Sequence, residues 1–547
     1  MFSKLRLGAL ALALHQTTTL AASPEEWRSR SIYQLLTDRF ARSDGSTTAT
    51  CDTGSGKYCG GSWQGIIDKL DYIQGMGFDA VWISPVTKNI EGTTAYGEAY
   101  HGYWQQDLYS VNGHFGTSDD LKALSLALHG RGMYLMVDIV VNHNAWNGPV
   151  DSIDYSQFNP FNKEENYNTP YCEIDYSDLS DEAAITQCWV GGDRVPLPDV
   201  KTSSQEVRDG YAEWISSLAA NYSIDGLRLD TVLQVEKSFW SGFKEAAGNM
   251  YMVGEIFQQG ADIVCEYQNY ITGVFNYPVY FSLINAFKST TGSMSKLADS
   301  INETKATCKD ISLLGSFSEN HDNPRFPAED HDIAHASNVI TYTMLADGIP
   351  ILYYGQEQHY DARGGANDPY NREALWFSGY NTEHQLYKLV ANLNKFRKNA
   401  MRDSSFLTTA ANVVYTDDNT IAVKKAKLLT VLSNKGEQGN NYTQPIRSWY
   451  QSGSSVTELF SCTEYISDDQ SMIQVPMSAG MPRVFYPTAD LGTLCGGARS
   501  ASYAVESSPR PYARMARSSR PARRARPARR SRAERWAAKA QTQVQAA

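Results

Sequence analysis

Four short segments carry the residues that could do chemistry. GLRLD at 226–230 puts Arg228 two residues before Asp230. The period of two along a strand sends both to one face and Leu227 and Leu229 to the other. An arginine so placed can hold the carboxylate ionised, although the same pair also serves as a plain structural ion pair. YMVGEIF at 251–257 is an apolar run with a single acid, Glu255. Desolvation there raises proton affinity, as a general acid requires; capping of a following helix is the other reading. SENHDNP at 318–324 sets Glu319, His321 and Asp322 in a turn, and VDIVVNH at 137–143 adds Asp138, Asn142 and His143. Paired carboxylates without metal-ligand spacing are the equipment of glycoside cleavage. His101, Tyr103 and Trp104 form an aromatic cluster that could stack on sugar faces or pack a loop.

Each of these segments closes a short run rich in β-branched and aromatic residues. Strands are predicted at 32–36, 80–84, 134–140, 226–230, 250–255, 273–277, 313–317 and 349–353. Amphipathic helical patterns fall between most of them, as at 65–77, 118–131, 204–221 and 334–345. Eight strands alternating with helices predict a closed parallel (β/α)8 barrel, which gathers functional groups at the C-terminal ends of its strands. A doubly wound open sheet is disfavoured, because no GxGxxG follows an early strand. The barrel is expected over 23–401, with a small irregular subdomain inserted over 143–203 after the third strand. Past 402 the alternation stops, and strands at 420–424, 428–432 and 483–486 predict an antiparallel β-sandwich over 402–495.

Composition narrows the setting. Residues 496–547 hold 13 Lys or Arg against two acids, and without them 36 basic face 58 acidic residues, a net of −22. So acidic a body repels nucleic acid, and the Arg/Ala/Pro-rich tail lacks the apolar residues of a core, so disorder is expected there. No apolar run reaches the roughly 18 residues that cross a bilayer. The run at 7–14 follows Lys4 and Arg6 and precedes Ala21 and Ala22, the pattern of a cleaved signal peptide over 1–22 and of an extracellular protein. Eight cysteines suit export, and their spacing suggests Cys51 with Cys59, Cys172 with Cys188, Cys265 with Cys308 and Cys462 with Cys495. Sequons stand at Asn221, Asn302 and Asn441.

Taken together, VVNH (140–143), LPDV (197–200), GLRLDTV (226–232), GEIF (254–257), FSENHD (317–322), GFDAVWISP (77–85) and GIPILYYGQE (348–357) resemble the secreted fungal-type α-amylases. The likeness runs in order over about 24–495. It implies retaining endo-hydrolysis of α-1,4-glucosidic bonds in starch, glycogen and maltooligosaccharides. Asp230 would be the nucleophile, Glu255 the acid and then the base, and Asp322 the carboxylate that holds the distorted sugar. His143 and His321 would assist Asp322, Arg228 would aim Asp230, and Tyr103 would stack at the cleaved sugar beside His101 and Trp104. Asp368 and Arg372 would line the non-reducing side. The family's calcium ion would take oxygens from Asn142, Thr186, Asp199 and Gln234, the donors a hard cation prefers. The chain departs from many relatives at Leu233 and Gln234, where Lys and His would contact leaving-group sugars. The partner expected is an α-glucan, with a monomeric chain and no membrane or nucleic acid. The rival readings are a 4-α-glucanotransferase and a non-catalytic starch-binding protein.

Overall fold

The computed structural model describes residues 22–496. The leader read over 1–22 and the tail read over 496–547 lie outside it, apart from Ala22 and Gly496. Eight parallel strands follow one another as β1 (Ile32–Gln34), β2 (Ala80–Ile83), β3 (Tyr134–Ile139), β4 (Gly226–Leu229), β5 (Tyr251–Gly254), β6 (Gly273–Val274), β7 (Gly315–Ser316) and β8 (Ile349–Tyr353). They pair in the order β6-β5-β4-β3-β2-β1-β8-β7, and a parallel bridge between Phe275 and Gly315 joins the two ends into a nearly closed barrel. Most strands stop one to three residues short of the sequence-predicted ends, so Asp230 and Glu255 sit just past β4 and β5 rather than inside them. The helix expected over 65–77 is broken at Lys69, which leaves helical geometry at φ −117° and ψ 13°.

Alternation along the strands sorts the side chains. Tyr33, Val81, Leu135, Val137, Leu227 and Leu229 face outward into the layer shared with the helices. Ile32, Ala80, Met136, Tyr251, Val253, Ile349 and Ile351 fill the lumen. Trp27, on the capped helix Pro24–Trp27, stacks on Tyr251 and donates through Nε1 to the carbonyl of Asp225 at 3.0 Å. A Cβ on Gly226 would come within 2.6 Å of the Trp27 ring, so only glycine admits it. The lumen is therefore apolar at this end, and one step along each strand it turns polar, at Gln34, Asp138 and Arg228, all buried.

Two excursions overhang that polar end. After β2 a hairpin of Thr87–Asn89 and Gln105–Val111 carries residues 101–104 at its turn. Gln105 Nε2 ties it to β3 by donating to the carbonyls of Val140 (3.1 Å) and His143 (2.8 Å). After β3 the chain runs through short turns, one helix (Glu182–Gln187) and the Cys172–Cys188 disulfide. The excursion zips shut on itself, with Val200 N donating to Asn142 O and Asn144 N to Pro198 O. All four disulfides suggested by the spacing are formed.

The C-terminal strands are β9 (Asn412–Thr416), β10 (Thr420–Lys425), β11 (Leu428–Ser433), β12 (Tyr442–Arg447), β13 (Ser455–Glu458), β14 (Thr463–Ile466), β15 (Met472–Met477) and β16 (Arg483–Pro487). Six of them form one antiparallel sheet, and β12 pairs with β15 in a second. Ala422, Leu429, Val431 and Phe485 pack on Ile446, Ile473 and Val475 of the small sheet. The alternate residues Ile421, Val423, Leu428, Leu432 and Val484 join the barrel's own core cluster. The barrel helix Ile333–Leu345 is buried on every side, at all thirteen positions.

Candidate active site

Arg228 organises the mouth of the barrel. Its Nη1 donates to Asp230 Oδ1 at 2.6 Å and to Asp138 Oδ1 at 3.0 Å, and its Nη2 donates to Glu255 Oε2 at 2.8 Å. β4 aims the guanidinium along the lumen, and the neighbouring strands β3 and β5 supply the other two acids. Asp138 also accepts from Tyr103 OH at 2.6 Å and Trp82 Nε1 at 3.1 Å. Thr231, just past β4, donates its hydroxyl to Asp230 Oδ2 at 3.0 Å and its N–H to Glu255 Oε2 at 3.3 Å.

The acids differ in proton affinity. Burial pushes Glu255 up to about 8, against the pull of Arg228 and with the repulsion of Asp230 and Asp322 added. Burial pushes Asp138 up to about 7, again opposed by Arg228. Asp322 is raised by burial too, with Arg372 the chief opposing charge. Glu255 is thus a carboxyl that keeps its proton at neutral pH, beside a second acid on the same guanidinium.

Asp322 faces the pair from the loop after β7. Arg372 Nη2 reaches its Oδ1 at 3.3 Å, and Arg372 Nη1 reaches Asp368 Oδ1 at 2.9 Å. His321 is held neutral, well below its ordinary value, by burial and by Arg372 and Arg228. Gln34 Nε2 donates to its Nδ1 at 2.8 Å, which leaves the Nε2 proton for Asp322 Oδ2 at 3.2 Å. The His321 ring stacks on Tyr103 with centroids 5.2 Å apart. His101 packs edge-on against Trp104, and its Nδ1 accepts from Tyr103 N at 3.0 Å. His143 donates through Nε2 to the Tyr103 carbonyl at 3.1 Å.

A second cluster lies below the inserted excursion. The Asn142 side-chain amide has one terminal atom 3.2 Å from Asp199 Oδ1 and 3.1 Å from the Gln234 carbonyl. With its nitrogen there, the amide donates to both. With its oxygen there, Nδ2 is 3.4 Å from His143 Nδ1, and three oxygens converge. His143 already donates through Nε2, so its Nδ1 is free to accept, which suits the second orientation. Burial holds the Asp199 carboxyl well above its ordinary range, and it accepts from Asn168 Nδ2 at 2.7 Å. Thr186 lies in the last turn of Glu182–Gln187, where carbonyls lack helical partners, and that helix packs on the turn Val232–Gln234. An oxygen-only donor set around an acid that has no cationic partner among the described residues fits a hard cation. Among the described residues there is no cluster of three or more His, Cys, Asp or Glu, as expected when carbonyls supply most ligands.

Leu233 is half-buried and packs against the core, and the Gln234 side chain turns to Tyr176 OH at 3.4 Å. Glu319, also at the end of β7, belongs elsewhere: it pairs with Arg325 at 3.2 Å and accepts from Phe326 N. Sequence reasoning missed the roles of Asp138, Trp82 and Gln34. Trp82 and Gln34 carry no signal in the sequence and Asp138 was given no role there, because their partners come from other strands, the hairpin turn and the loop after β7.

A parallel barrel whose mouth sets two carboxyl groups on one guanidinium is built as a glycoside hydrolase is built. Residues 34–419 match the family described as alpha amylase, catalytic domain, and residues 413–503 match alpha-amylase, domain C. The chain belongs to the α-amylase family of glycoside hydrolases. It is 47% identical to alpha-amylase 2 of Schwanniomyces occidentalis, over 85% of this chain and 91% of that protein. It is 49% identical to alpha-amylase 1 of Lipomyces kononenkoae, over 88% of this chain and 78% of that one. The solved α-amylase of Malbranchea cinnamomea superposes with a TM-score of 0.83 at 51% identity, covering 86% of this chain and 98% of its own.

Proposed function

We propose that the protein hydrolyses internal α-1,4-glucosidic bonds of starch and related glucans with retention of configuration. The observation that carries this reading is the placement of Asp230 and Glu255 on adjacent nitrogens of one guanidinium. So placed, they are drawn toward the spacing of about 5–5.5 Å used for covalent double displacement rather than the roughly 6.5–9.5 Å that admits a water between them. Asp230 attacks the anomeric carbon, and Glu255 gives its proton to the departing glycosidic oxygen. Glu255, now a carboxylate, takes a proton from the water that releases the sugar. Asp322 receives two sugar hydroxyls, with neutral His321 and Arg372 fixing its direction. Tyr103 stacks on the sugar at the cleaved bond, flanked by His101, Trp104 and His143, and Asp368 lines the non-reducing side.

Calcium fits the oxygens of Asn142, Asp199, Gln234 and Thr186, where it would join the inserted excursion to the turn after β4. Bound there, it would supply a structural cross-link. The domains are read as a barrel over 23–401, its insertion over 143–203, and a sandwich over 402–495. We read the chain as a secreted monomer, in keeping with four disulfides and exposed sequons; no described helix is long and apolar enough to cross a membrane. Nuclear magnetic resonance of the first products of maltohexaose cleavage tests the mechanism. The α-anomer and loss of at least a hundredfold in rate on Asp230→Asn are expected; the β-anomer first would refute retention. A transferase reading draws on Leu233, which offers the acceptor side apolar contact, and products longer than the substrate would establish it.

A further inference from the structure

The small sheet of the C-terminal sandwich buries one face and shows the other to solvent. Ile446, Ile473 and Val475 point inward, while Thr443, Pro445, Arg447 and Gln474 point out. In the register of β12 with β15, Pro445 lies opposite Gln474 and Arg447 opposite Met472. The alternation continues past the end of β12: Ser448 and Tyr450 are buried, and Trp449 between them is 58% exposed.

The backbone of Trp449 is left-handed, at φ +59°. A bulky residue occupies that region only where its surroundings impose it. Here both neighbours are anchored. Ser448 donates through N and Oγ to the Ser471 carbonyl at 2.9 and 3.0 Å, and its own carbonyl accepts from Lys424 Nζ at 2.6 Å. Tyr450 OH donates to the carbonyl of Lys427 at 2.8 Å. The strained position carries no core side chain, for the indole it presents faces water. Arg447 lies with its guanidinium carbon 4.2 Å from the centroid of that indole and stiffens it.

We propose that this outer face is a second glucan-binding surface, separate from the catalytic cleft, with Trp449 as the stacking platform and Arg447 and Gln474 as donors to sugar hydroxyls. The inference rests on the reading of the chain as a starch hydrolase. An aromatic plane with Arg447 at the ring and Gln474 further along the same face, opposite Pro445, suits a chain of pyranoses, each apolar on its C–H faces and hydroxylated at its edge. A peptide or lipid would instead need an apolar groove, and Thr443, Pro445 and Gln474 provide none. The ligand is an α-1,4-linked chain of the polymer, held on the C-terminal domain while another stretch enters the barrel.

The test measures adsorption of the full chain to insoluble starch granules in the cold, beside kcat/KM on maltopentaose. Trp449→Gly removes the ring and also suits the left-handed backbone, so the melting temperature should hold or rise. Adsorption should fall roughly three- to tenfold, the worth of one aromatic stacking contact, with maltopentaose hydrolysis unchanged. Trp449→Tyr should keep most of the adsorption. Adsorption that is absent in the wild type, or unaltered in Trp449→Gly, overturns the proposal. So does a loss of adsorption matched by an equal loss on maltopentaose, which would place the effect in the cleft. A chain that adsorbs through Trp449 but cleaves no glucan would sink the hydrolase reading and leave the surface standing.

Discussion

Replacing Glu255 by Gln separates the acid role from everything else at the mouth of the barrel. Gln keeps the shape and can still accept from Arg228 Nη2 and Thr231 N, so the fold and the binding of sugar should survive. What disappears is a transferable proton, and a general acid of this kind is worth about 10²–10⁴ in rate. The buried carboxyl of Glu255 holds its proton up to about 8. The acid form therefore dominates at neutral pH, and each pH unit above that value removes about tenfold of it. The wild-type rate on maltooligosaccharides should accordingly fall on the alkaline side. A maltosyl fluoride, whose leaving group needs no proton, should lose that limb from its glycosylation step. The same substrate should glycosylate Glu255→Gln at near the wild-type rate and then stall, because no base is left to activate water. Azide, which needs no base, should restore turnover and yield a glycosyl azide of retained configuration. Stopped-flow release of fluoride with mass spectrometry of the intact protein reads each step. If the fluoride is cleaved as poorly as starch, Glu255 is not the proton donor.

Three further outcomes follow from the geometry. Chelation should lower the melting temperature of the wild type, since an ion that binds only the folded chain stabilises it by mass action, and Asp199→Ala should abolish that sensitivity; calorimetry with and without chelator reads both. Asp138→Asn sets an amide nitrogen against either Arg228 or the Tyr103–Trp82 pair of donors, and should cost about 3–5 kcal/mol of stability in urea unfolding; a loss below about 1 kcal/mol would show that the network relaxes freely. Leu233→Lys should raise kcat/KM on short maltooligosaccharides by about three- to tenfold, one hydrogen bond's worth, and long starch chains by less; equal effects on both would remove Leu233 from the acceptor side.

The barrel was legible because its strands are short β-branched runs at helical intervals, and the candidate site residues because such barrels display functional groups at strand ends. GLRLD and GEIF each left a structural reading of Asp230 and Glu255 open, and it was the set of acids at several strand ends that singled them out before any register was known. Their meeting on one guanidinium was not legible, because it depends on β3, β4 and β5 lying side by side in a particular stagger. The same holds for Asp138, whose two other donors come from β2 and from the hairpin turn 35 residues earlier in the chain. Gln34 reads as an ordinary polar strand residue until β1 is seen to place it against His321. The backbone of Trp449 was hidden for a different reason: nothing in RSWYQ signals a left-handed residue, which the buried neighbours Ser448 and Tyr450 enforce from outside.

The helix Ile333–Leu345 has no solvent side, and the central strands of the C-terminal sheet that packs near it, Thr420–Lys425 and Leu428–Ser433, are buried almost throughout. Asn338 of that helix donates to the Gly480 carbonyl at 2.7 Å and accepts from Ser433 N at 2.9 Å, stitching the two bodies through buried polar bonds. Neither part is a cassette. A gene cut near residue 410 would leave a barrel with a raw apolar flank and a helix stripped of half its partners, so the shortened product should aggregate rather than work as a minimal enzyme. Heat should melt both bodies in one calorimetric transition. In this chain barrel and sandwich must therefore travel together, and a module added by splicing should be tolerated only outside that shared core.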